Sequence, residues 1–92
     1  MGGVSVLVPI TKSARKYGYL IWAEKRHKEV NDLLQGLDHV NVIFNGFNLG
    51  NKKIDWKYNR ISIGYKFTRA LPEDAKYYKL RLENNTLKVE SR

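Results

Sequence analysis

The sequence predicts a small α+β domain, an antiparallel sheet or partly open barrel carrying one amphipathic helix. Three observations predict it. Short runs of alternating apolar and polar residues recur along most of the chain, the period of a half-buried strand. Only one segment carries an apolar stripe at helical spacing. Eight asparagines against four alanines favour turns and strands over helices. The expected order is β-β-α-β-β-β-β-β, and at 92 residues the whole chain, 1–92, forms one domain with a small core.

Val4 to Pro9 is rich in β-branched residues and reads as the first strand; Pro9 marks an edge or an exit. Thr11 to Lys16 is a short basic connection. Tyr17 to Trp22 reads as a second strand that pairs back on the first. The helix is expected from about Ala23 to Leu37. Val30, Leu33, Leu34 and Leu37 form its stripe, Glu24 and Lys28 are spaced for an i, i+4 ion pair, and Gly36 supplies the stop. A single stripe covers one face of a sheet, which is why one helix on a sheet is the expected architecture.

His39 to Asn45 is a third strand, with Val40, Val42 and Phe44 on one face; Asn45-Gly46 opens a loop that runs to Asn51. In the next stretch Ile54, Trp56 and Tyr58 alternate with polar residues, as do Ile61, Ile63, Tyr65 and Phe67. The period slips by one between Tyr58 and Ile61. A two-residue turn at Asn59-Arg60 accounts for the slip and predicts the pairs Tyr58–Ile61, Trp56–Ile63 and Ile54–Tyr65 on one apolar face. A turn at Asn84-Asn85 likewise pairs Leu82 with Leu87 and Leu80 with Val89. Ala70 to Lys76 is a linker or a single helical turn between the hairpins, with Pro72 at its start.

Composition narrows the function classes. The absence of cysteine excludes disulfides, thiolate metal sites and a cysteine nucleophile. No His or carboxylate spacing suits a metal, and no cofactor is expected. The longest apolar runs, Val6 to Ile10 and Tyr19 to Ala23, are far too short to cross a membrane, and the N-terminus lacks the pattern of a signal peptide. The expected location is the cytoplasm.

The net charge is +8, with a pI near 9.8. Residues 1–50 contribute +2 of it and residues 51–92 contribute +6. Lys52, Lys53, Lys57, Arg60, Lys66 and Arg69 stand against Asp55 alone, a local net of +5. A second cluster, Lys12, Arg15 and Lys16, occupies the first connection. The helix is neutral by count, so it does not read as a basic helix for a DNA groove. Clustered cations with few acids between them suit a polyanion, each contacted phosphate adding salt-dependent affinity by counterion release. Outward lysines on strands also serve solubility and discourage edge pairing.

Phe47, an apolar residue in a polar turn region, is a candidate for base stacking; alternatively it folds back over the end of the core. The alternation places Trp56 and Tyr65 in the core. The function expected is a non-enzymatic module binding DNA or RNA through the basic hairpin and the basic loop. One alternative is a protein-interaction subunit or homo-oligomer that uses an edge strand, with the basic charge serving solubility. A second is a small metal-independent ribonuclease dependent on Arg60 or His27.

Overall fold

In a computed structural model of the protein, the structure describes residues 5–23, 25, 27–34 and 36–92; for His27 only the backbone is described. The expected Glu24–Lys28 pair therefore involves a residue outside the described set. The elements in order are β1 (Ser5–Pro9), α1 (Lys12–Tyr17), β2 (Tyr19–Ile21), α2 (His27–Leu34), β3 (His39–Phe44), β4 (Phe47–Asp55), β5 (Arg60–Ser62), α3 (Tyr65–Arg69), β6 (Tyr77–Glu83) and β7 (Thr86–Ser91). The fold is α+β, as expected. Seven strands form one nearly closed sheet in the order β1-β6-β7-β3-β4-β5-β2.

Alternate residues of every strand point into a single core. Val6, Val8, Leu20, Val40, Val42, Ile54, Ile61, Tyr78, Leu80, Leu87 and Val89 are all buried there, joined by Val30 and Leu34 of α2. α2 packs against β1 and β6. After it, Gly36 adopts a φ of 72°, a left-handed conformation that L side chains resist.

The C-terminal hairpin has the expected register. Leu82 faces Leu87 and Leu80 faces Val89, with Arg81–Lys88 and Lys79–Glu90 on the outer face. Asn84 and Asn85 both have positive φ, the twist that a two-residue hairpin turn needs. Four of the eight asparagines, Asn45, Asn59, Asn84 and Asn85, occupy such left-handed turn positions. Among the described residues β1 is an edge strand, paired only with β6.

Other expectations are corrected. The basic connection is helical. Thr11 is its N-cap, its hydroxyl accepting from the Ala14 amide at 3.1 Å, and Gly18 ends it at φ 77°. β2 does not pair with β1, because α1 carries the chain across to the opposite edge of the sheet, where β2 pairs with β5. β3 and β7 run parallel. The expected loop from Asn45 to Asn51 is a tight turn followed directly by β4. The register shift near Val42 leaves Leu49 as an extra residue, with Gly50 at φ 85°.

The middle hairpin differs most. Ile54 faces Ile61 and Asp55 faces Arg60, so Trp56 to Asn59 form the turn. The Asp55 carboxylate explains this. It accepts from the amides of Lys57 and Tyr58 at 3.1 and 3.2 Å, while Asn59 turns left-handed at φ 55°. Tyr65 and Phe67, expected in a strand, belong to α3, and Tyr65 is exposed. Trp56 is half-buried. It meets Trp22 edge-on and donates its indole N–H to the Leu37 carbonyl at 2.9 Å.

Candidate nucleic-acid interface

The two basic clusters, remote in sequence, fall on elements that touch. α1 packs against α3 along a backbone seam. The Gly18 carbonyl accepts from the amides of both Ile63 and Gly64 at 2.8 Å. The Thr68 hydroxyl donates to the Arg15 carbonyl at 2.8 Å. Lys12 and Lys16 of α1 therefore sit on a helix adjoining the one that bears Lys66 and Arg69. β2 continues from α1 and β5 leads into α3, so this pair of helices adjoins the β2–β5 edge of the sheet, where Tyr19, Arg60 and Lys53 lie on the outer face.

That face carries a shallow groove of about 490 Å³, whose lining includes Tyr19, Lys53, Asp55, Lys57, Tyr58 and Arg60. Its centre is Arg60. The guanidinium lies 4.3 Å from the ring centre of Tyr19 and 4.9 Å from that of Tyr58. Its Nε donates to Asp55 Oδ2 at 3.3 Å, a partly exposed pair of modest strength. Among the described residues its terminal nitrogens have no hydrogen-bond partner. The side chain is thus oriented by rings and one carboxylate while its outer donors are left to meet an acceptor.

The remaining candidates separate by environment. Lys12, Lys16, Lys53, Lys57, Lys66 and Arg69 are exposed, and among the described residues none forms an ion pair. The acids of the C-terminal hairpin are engaged locally instead. Glu83 pairs with Lys88 and Arg81, and Glu90 with Arg92. The hydrogen bond and charge of Lys88 hold the Glu83 carboxyl below its usual range, helped by Arg81. Lys52 is half-buried and faces the core side of β4 opposite Val40, away from Lys53. Arg15 is committed to the fold. Its guanidinium donates to the carbonyls of Leu71, Pro72 and Ala75 at 3.3, 2.9 and 2.7 Å.

Comparison with known protein families, with curated proteins and with solved structures finds no match. What this surface does therefore has to be argued from its own chemistry.

Phe47 folds back on neighbouring rings without being covered. It faces Phe44 across the hairpin and its ring lies 5.7 Å from that of Phe67, yet it stays 66% exposed. The tyrosines are the residues that the sequence pattern misplaced, since it put Tyr58 and Tyr65 on an apolar face and both are exposed. Tyr17 and Tyr65 are exposed, and each has a cation over its ring, Lys16 at 5.4 Å and Arg69 at 5.6 Å. Lys57 lies 5.4 Å from the exposed Tyr58 ring. The available signal was spacing, since Lys16-Tyr17 and Lys57-Tyr58 are adjacent and Tyr65 and Arg69 are four residues apart.

Among the described residues no three His, Asp or Glu side chains converge as metal ligands would, and no helix is long and apolar enough to cross a membrane. The side chain of His27, named with Arg60 for the ribonuclease alternative, lies outside the described part.

Proposed function

We propose that the protein is a non-enzymatic nucleic-acid-binding module whose contact surface runs from the α1–α3 pair across the outer face of β5 and β4. One observation carries the reading. Arg60 is held between Tyr19 and Tyr58 with its terminal donors open, in a groove whose other cations, Lys53 and Lys57, are unpaired among the described residues. A guanidinium fixed in this way suits a phosphate or a base edge, since the orientation is established before the ligand arrives. The exposed Lys12, Lys16, Lys66 and Arg69 add four cations on the adjoining helix pair. Arg15 and Lys52 are left out of the contact set, the first because carbonyls occupy it and the second because it turns to the core side.

The test is fluorescence anisotropy of labelled DNA and RNA oligonucleotides against increasing salt. Binding at low salt is expected to weaken linearly on a log–log plot, by a slope of about 0.9 or 0.7 per phosphate contacted, for duplex or single strand respectively. No change in anisotropy at low salt with either polymer overturns the proposal.

A second reading, self-association through β1, has one observation in its favour. β1 is a sheet edge, and Leu7 on its outer side is exposed. Light scattering at high protein concentration decides it. A strict monomer removes this reading.

A further inference from the structure

Resting on the nucleic-acid reading above, we infer that the ligand is single-stranded and that Tyr58, backed by Arg60, is a platform on which an unpaired base stacks. The first ground is the ring itself. Tyr58 is 57% exposed in the β4–β5 turn, and the charged groups over its ring, Lys57 and Arg60, are cations. Fixed exposed rings leave apolar area in water unless a flat partner covers it. In a duplex both faces of each base are already covered by their neighbours, so such rings have nothing to stack on. In a single strand every base offers a free π-face, and aromatic stacking is the standard source of sequence-tolerant affinity.

The second ground is repetition. Lys16 with Tyr17, Arg60 and Lys57 with Tyr58, and Arg69 with Tyr65 form three ring–cation units on α1, on the β4–β5 hairpin and on α3. Contacts of α1 with α3 and with β2, and of β2 with β5, link the elements that carry these units. Rings that meet bases and cations that meet phosphates, in alternation, match the alternating chemistry of one strand.

The third ground is the helices. α1 and α3 span six and five residues, too short to lie along a groove, and α2 exposes Lys28 beside Glu29 and Asp32. None of them offers the basic helix that would enter a duplex.

The experiment compares a short labelled oligothymidine with the blunt duplex of the same length, using the wild-type chain, Tyr58→Phe and Tyr58→Ala. The site is exposed, so both variants are expected to fold, which a thermal melt checks. The expected result has three parts. The single strand binds more tightly than the duplex. Tyr58→Ala loses about tenfold in single-strand affinity with an unchanged salt slope. Tyr58→Phe, which keeps the ring, retains it. Duplex bound equally or more tightly overturns the inference and leaves the nucleic-acid reading standing, as does a Tyr58→Ala variant with unchanged single-strand affinity. Failure to bind either DNA overturns the inference, and the same failure with the RNA oligonucleotides removes the nucleic-acid reading as well.

Discussion

The hydroxyl of Thr68 donates to the carbonyl oxygen of Arg15 at 2.8 Å, across 53 residues of sequence. Thr68 is buried on α3, and the carbonyl belongs to α1, so this bond sits inside the seam that joins the two basic helices. Replacing the hydroxyl by a methyl keeps the shape but leaves the carbonyl without this donor. Thr68→Val is expected to cost about 1–2 kcal/mol, while Thr68→Ser stays closer to wild type. On a domain of this size that is a fall of roughly 4–15 °C in Tm. A Thr68→Val melt identical to wild type would remove the seam as a stabilising contact.

Arg15 uses both ends in the same region, its carbonyl for Thr68 and its guanidinium for Leu71, Pro72 and Ala75. Arg15→Ala is expected to destabilise by about 2 kcal/mol or more, because hydrogen bonds from a charged donor are lost together. Arg15→Lys is expected to recover only part of this, since one ammonium cannot reproduce a planar fork over three carbonyls. In salt titrations of nucleic-acid binding, Lys57→Ala should reduce the slope by about one contact and Arg15→Ala should leave it unchanged. The reverse pattern would show that Arg15 faces the ligand.

Gly18 tolerates no side chain. A Cβ there would come within 2.3 Å of the Tyr65 amide nitrogen and 2.6 Å of the Gly64 carbonyl carbon, and the φ of 77° is left-handed. Neither obstacle is a movable side-chain tip. Gly18→Ala is expected to cost about 3 kcal/mol or more, combining left-handed strain with backbone displacement. Gly36→Ala is the control, with a similar φ but nothing within 4 Å of the new methyl, so it bears the conformational cost alone. Chemical denaturation of the two variants separates these costs.

Burial pushes the Tyr78 hydroxyl up to about 12, although the charge of Arg15 pulls the other way. In the unfolded chain the same phenol ionises near the ordinary tyrosine value of 10.0. Between these two values the unfolded state holds fewer protons than the folded one, so stability falls as pH rises. The contribution is fully present below pH 10 and is lost on approach to pH 12, roughly 3 kcal/mol in all. Tyr78→Phe should flatten this alkaline limb. It should cost little at neutral pH, because the hydroxyl has no hydrogen-bond partner among the described residues. An unchanged alkaline limb in urea titrations of Tyr78→Phe would place its origin elsewhere.

Local pattern made the C-terminal hairpin legible to the exact pair, because Asn84-Asn85 leaves one way to align two alternating strands. The middle hairpin defeated the same arithmetic. Its alternation runs through Trp56 and Tyr58, but the Asp55 carboxylate binds two amides and turns the chain before those residues can pair. The short helix α1 carried its own signals in Thr11 and Gly18, obscured by the dense charge between them.

The candidate surface divides in the same way. The sequence by itself determined that positive charge concentrates in Lys12–Lys16 and Lys52–Arg69, since counting needs no coordinates. It also determined the α+β class and the inward-facing residues of most strands, because a period of two has one meaning wherever one face is buried. Only the tertiary structure decided which cations face outward. Arg15 and Lys16 are neighbours in the chain, yet one is bound by three carbonyls 56 to 60 residues away and the other lies in solvent. Likewise Tyr19 and Arg60 become a stacked pair only because β2 crosses to β5 and not to β1. A side chain's chemical type is local, whereas the partners competing for its donors arrive from the whole chain.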